Sequence, residues 1–181
     1  MPIFGITASS NMSTKLTDFY QIATTTLGSS QSTITFSSIP QDYTHLQIRM
    51  FAFGNTSNSG LMRFNSDTAT NYSWHALTGN GATASSTNNT TVNFMVGNGF
   101  NLGPNSTTIP FATIVDILDY TNTNKYKTLR SLDGSDLNGS GQITLLSGNW
   151  RSTSAISSIS LAPSSGSFTQ YSRFDLYGIK G

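Results

Sequence analysis

The chain has 181 residues and a formal net charge of +1, from 9 Lys or Arg against 8 acidic residues. All the acidic residues are Asp; neither Glu nor Cys occurs, and Ser, Thr and Asn fill 70 positions. This excludes a disulfide framework, thiolate metal sites and the basic stripe that phosphate binding requires, so nucleic acid is not an expected partner.

Glu is a good helix former, whereas Ser, Thr and Asn compete with the helical backbone for hydrogen bonds. Strands and turns are therefore expected throughout. The 11 Phe, 7 Tyr and 2 Trp supply bulky core material for one domain, and a chain with many aromatics and little net charge is expected to fold. No window approaches the roughly 18 apolar residues that span a bilayer, so no membrane partner is expected. The N-terminus lacks a basic region followed by a long apolar run, so synthesis in a cytoplasm without a secretion signal is expected.

Residues 1–18 show no sustained period and read as an extended arm. Pro2, Ile3, Phe4 and Ile6 are its candidate assembly contacts. Residues 19–181 read as one β-sandwich domain. A first strand falls at 20–27. Ile34 and Phe36 then alternate with Thr33, Thr35 and Ser37, and Leu46, Ile48, Met50 and Ala52 alternate with His45, Gln47 and Arg49. Such alternation marks half-buried strands of antiparallel sheets. Strands follow at 61–65 and 71–77, and Val92, Phe94 and Val96 suggest another. The stretch Phe111 to Tyr120 is apolar on both faces and reads as a sheet-centre strand. Further strands fall at 125–132, 142–148 and 156–162, and Phe174 and Leu176 alternate with Arg173, Asp175 and Tyr177 near the end. Turns are expected at Gly54-Asn55, Asn80-Gly81, Asn98-Gly99, Asp133-Gly134, Asn138-Gly139 and Ser165-Gly166, because Asn, Asp and Gly tolerate positive φ. About ten strands in one domain suggest an all-β antiparallel sandwich of jelly-roll type.

The candidate chemistry is sparse. Asp116 and Asp119 share one expected strand at an odd offset, which puts them on opposite faces and rules out a catalytic carboxylate pair. Asp133 and Asp136 share a Gly-rich segment that lacks the closing acidic ligand of a calcium loop, so an Asx-rich turn is the better reading. His45 and His75 have no nearby carboxylate or Cys in sequence, and no G-x-S-x-G elbow occurs. Neither catalytic residues, metal ligands nor cofactor are expected, and the chain reads as a non-enzyme. Arg173 and Asp175 form an expected surface pair.

Carbohydrate contact is the functional alternative. Tyr72 and Trp74 share a strand face and read more heavily as core than as a sugar platform. Trp150, followed by Arg151 at a strand end, is the better exposed ring.

Several phrases carry a family resemblance. Ile22-Ala-Thr-Thr-Thr-Leu-Gly-Ser29 is followed by Ile34-Thr-Phe-Ser-Ser-Ile-Pro40 and Tyr43-Thr-His-Leu-Gln-Ile-Arg49. Met62-Arg-Phe-Asn65, Asn71-Tyr-Ser-Trp-His75, Asn124-Lys-Tyr-Lys-Thr128 and Phe174-Asp-Leu-Tyr-Gly-Ile179 come later. Together these resemble small virion proteins of tailed bacteriophages, especially marine and cyanobacterial phages. The resemblance implies a β-sandwich on the virion exterior, in contact with other virion proteins and often a symmetric homo-oligomer such as a trimer. It implies a capsid decoration or cement protein, with a head- or tail-fibre module that binds host surface glycan as the alternative.

Overall fold

The computed structural model describes residues 18–56, 58–95, 101–102 and 108–181. Twelve strands follow in chain order, and no helix occurs among the described residues. The first six are β1 (Phe19–Thr26), β2 (Ile34–Phe36), β3 (His45–Ala52), β4 (Asn58–Phe64), β5 (Tyr72–Gly79) and β6 (Ala84–Val92). The rest are β7 (Asn101–Leu102), β8 (Phe111–Leu118), β9 (Lys127–Asp136), β10 (Gly141–Trp150), β11 (Ile159–Pro163) and β12 (Arg173–Ile179).

They form two antiparallel sheets packed face to face. The large sheet has eight strands in the order β1-β12-β3-β8-β9-β10-β5-β6, and the small one runs β2-β11-β4-β7. The fold is thus the all-β sandwich that the alternation implied. Its strands are divided unequally, eight against four, whereas a jelly roll spreads eight strands as two Greek keys over two sheets. Within the large sheet β8, β9 and β10 are a simple meander.

Period-two patterning decides which side chains enter the core. Leu46, Ile48, Met50 and Ala52 on β3 and Val115 and Ile117 on β8 meet Ile34, Phe36, Met62, Phe64, Ile159 and Leu161 of the small sheet in one cluster. Aromatic rings fill much of this layer, as a chain with few aliphatics requires. Phe168 and Phe174 pack edge to face with centroids 4.8 Å apart, and Phe64 lies 5.5 Å from Trp150.

Three turn and strand expectations need correction. The strand expected from Val92, Phe94 and Val96 is instead β6, which ends at Val92; Val96 lies outside the described residues, as does the expected Asn98-Gly99 turn. Asp133-Gly134 is not a turn, because β9 continues to Asp136 and the hairpin falls at Asn138 (φ 57°) and Gly139 (φ 100°). There Leu137 N–H donates to Ser140 O at 2.9 Å. Finally, β8 stops at Leu118 and Asp119 turns away with φ 47°, so Asp116 and Asp119 do not share a strand. The Asn80-Gly81 turn is as expected: Asn80 Oδ1 accepts from Ala82 N–H and Thr83 N–H at 3.0 and 2.8 Å.

Candidate functional site

The large sheet has an inner face buried against the small sheet and an outer face open to solvent. Cross-strand register places outward residues in rows. One row runs Arg49, Ile114, Leu132, Leu145, Leu77 and Ser86 across β3, β8, β9, β10, β5 and β6. The next runs Phe51, Ala112, Gly134, Ile143, Gly79 and Ala84 across the same strands. The exposed apolar residues of these rows are Phe51 (55%), Leu77 (55%), Ile114 (44%), Leu132 (49%), Ile143 (58%) and Leu145 (54%). Singly exposed apolar residues are ordinary, but a contiguous block on adjacent strands marks a contact surface.

The two rows enclose an open hollow of about 800 Å³, lined by Phe51, Ile114, Leu132 and Ile143 and by the turns at Asn80 and Ser140. Gly134 forms part of its floor for a packing reason: a Cβ there would stand 2.8 Å from the Gln142 carbonyl oxygen on β10. With only a methyl group at Ala112 and no side chain at Gly134, the second row stays low between Phe51 and Ile143.

Beside the apolar rows the outer face is polar. The third row is Gln47, Asp116, Arg130, Ser147, His75 and Asn88. Gln47 Nε2 donates to Asp116 Oδ1 at 2.8 Å, Arg130 Nε lies 3.4 Å from Asp116 Oδ2, and Arg49 Nε donates to Gln47 Oε1 at 2.8 Å. The Arg49 guanidinium also covers the Tyr177 ring at 5.1 Å. Arg173 Nε donates to both Asp175 oxygens at 3.1 and 2.9 Å, and this Asp is only 8% exposed although it lies on the outward side. Such part-exposed pairs fix local register and add little stability each.

The sequence-predicted glycan residues are not a surface platform. Trp150 is 2% exposed, so its expected role as the open ring is corrected. Its indole N–H donates to Asp67 Oδ2 at 2.7 Å and its ring stacks on Tyr72 at 6.2 Å and 18°. Tyr72 is fully buried and Trp74 is 7% exposed, which agrees with their core reading. Burial pushes the Tyr72 phenol up to about 12. Arg151 holds two carbonyls, Thr90 O at 3.0 Å and Thr70 O at 2.7 Å, and thereby ties β6 to the loop before β5. Pro2, Ile3, Phe4 and Ile6 lie outside the described residues.

Sequence spacing also missed a carboxylate beside His45. Asp119 Oδ1 lies 3.5 Å from His45 Nδ1, yet that nitrogen accepts the Asp119 backbone N–H at 2.9 Å. It is therefore an acceptor, and the pair is not a base oriented by an acid. Lys125 binds the same carboxylate and, through that hydrogen bond, holds it below the ordinary Asp value. Asp133 is 3% exposed on the inner face of β9 and Asp136 is exposed at the hairpin, so they do not form one loop site. No group of three or more His, Asp, Glu or Cys fit to hold a metal occurs among the described residues. No described helix is long and apolar enough to cross a membrane.

No protein-family model, no curated protein and no solved structure matches this chain.

Proposed function

We propose that this chain is a non-enzymatic structural protein of a tailed-phage virion, a capsid decoration or cement subunit. It works by contact through the outer face of its large sheet. The observation that carries the reading is the pair of contiguous apolar rows centred on Leu132 and Gly134, exposed beside a polar row on the same sheet face. A contiguous exposed apolar block of that kind marks a contact site for a partner. The resemblance of its sequence phrases to small virion proteins points to the class of partner: virion proteins on the particle exterior, capsid subunits and further copies of this chain among them, with no cofactor.

The fibre alternative loses support, because Trp150, Tyr72 and Trp74 are all buried and offer no ring to a glycan. Two measurements test the proposal. Localising the chain in images of intact particles, and counting its copies by quantitative mass spectrometry, should place it on the shell in numbers that follow capsid geometry. A handful of copies per virion would refute the decoration reading.

A further inference from the structure

The occupant of the outer face can be deduced from the order of side chains along its rows. We infer that it is a second copy of the same chain, packed face to face about a two-fold axis that runs along β9. The inference rests on the reading of that face as a contact surface, and it goes beyond it by naming the partner and the register.

The apolar block spans β3, β8, β9, β10 and β5, so β9 is its middle strand. A two-fold axis along β9 sets each strand of one copy over the strand equally far on the other side of β9 in its mate. Leu132 then meets Leu132, Ile114 meets Leu145, and Ala112 meets Ile143. Large faces small twice in the second row, Ile143 over Ala112 and Phe51 over Gly79, while the two Gly134 backbones face each other at the axis. Phe51 of each copy enters the second copy's hollow above Gly79 and the Asn80-Gly81 turn, residues that line it. Aligned sheets cross at about 30°, which moves the outer contacts by a few ångströms but leaves those beside the axis in place. Self-complementarity of this kind is what an isologous interface requires.

Area and charge are consistent with a stable pair. Six large apolar residues at about half exposure bury on the order of 100 Å² each, hence about 600 Å² per copy and about 1,200 Å² in all, the lower end for specific interfaces. Flanking Arg49, Ala112 and Ser147 add to this. The two Arg130 side chains approach at the polar end of the axis, where each is offset by its own Asp116 at 3.4 Å. A two-fold pair replaces the three-fold order that the resemblance suggested.

Sedimentation of the full chain tests the pairing. The expected species has twice the 19.4 kDa chain mass, and Leu132→Lys, at a half-exposed position, should weaken association at least 100-fold with an unchanged circular dichroism spectrum. A conservative second variant tests the axis itself. Leu132→Cys should be joined to its mate by a short bismaleimide, whereas two Leu77→Cys residues, two strand spacings from the axis on opposite sides, stand about 19 Å apart and should not. Equal cross-linking of both variants, or a single-mass species at all concentrations, would overturn the inference. A single-mass chain that binds virion particles, and loses that binding on Leu132→Lys, would overturn the pairing while leaving the contact surface. If Leu132→Lys changed neither property, both readings would fail. A single-mass chain whose face is labelled only after removal of residues 2–17 would name the arm as the occupant and overturn the pairing.

Discussion

Asp67→Ala should destabilise the fold by about 2–3 kcal/mol, chiefly through a tryptophan far away in sequence. The Asp67 carboxylate accepts from Trp150 Nε1 at 2.7 Å, from Asn71 Nδ2 at 2.9 Å and from Ala69 N–H at 2.8 Å. The Asn71 and Ala69 donors lie near the surface and can turn to water. The indole N–H of Trp150 cannot, because the residue is 2% exposed. An orphaned buried donor costs about 1–3 kcal/mol, and a bond to a charged acceptor sits in the upper part of that range. For a chain of this size 2–3 kcal/mol corresponds to about 5–10 °C in Tm. Burial works against the Asp67 charge, but the bonds from Asn71, Trp150 and Ala69 outweigh it and hold the carboxyl below its ordinary value of 3.8. Its contribution is therefore present above the unfolded pKa and lost as pH falls through the lower folded one. Thermal unfolding across that acid window should show a loss in the wild type that Asp67→Asn lacks. A double-mutant cycle with Trp150→Phe completes the assay, since the coupled pair should cost clearly less than the sum of its members. An Asp67→Ala Tm within about 1 °C of wild type, or strict additivity in the cycle, would refute the reasoning.

Lys127 is 1% exposed and its Nζ donates to the carbonyls of Asn122, Lys125 and Thr153. Lys127→Met should therefore cost about 2–4 kcal/mol by orphaning those acceptors, measured by denaturant unfolding. Gly178→Ala would put a Cβ 2.4 Å from the Tyr43 ring. It should cost about 1–3 kcal/mol in the same assay, with partial rescue by Tyr43→Leu. The Tyr72 phenol, at about 12 when folded against 10.0 unexceptionally, favours the native state below pH 10 and ceases to do so as pH rises through 12. Phenolate absorbance should show this tyrosine ionising late or together with unfolding, and full titration of all seven at the ordinary value would contradict its burial.

The strands with one wet face and one dry face were legible in the sequence. β3 is an example, because Leu46, Ile48, Met50 and Ala52 alternate with polar partners up to Arg49. β6 was not, because nearly all its described residues are exposed and no apolar period marks it. β8 misled in the opposite sense. Apolar side chains on both faces ordinarily mean a strand covered on both sides, yet Ile114 is 44% exposed on the outer face. The same signal, adjacent apolar residues such as Leu145-Leu146, marks β10 as apolar on both faces. The burial of Trp150 was not legible because it depends on Asp67, 83 residues away, and on rings from Phe64 and Tyr72. A strand-end position carries no trace of such long-range partners.

On the proposed function, the outer face of the large sheet is covered when the protein is assembled. Hydroxyl-radical footprinting of the assembled full-length protein reads this directly, with Tyr126 and Tyr171, exposed at 53% and 69%, as internal references. Oxidation of Ile114, Leu132 and Leu145 should fall several-fold relative to those tyrosines in the assembled state and recover in the Leu132→Lys variant. Labelling of the three residues that matches their exposure in the single chain, in both proteins, would contradict the account.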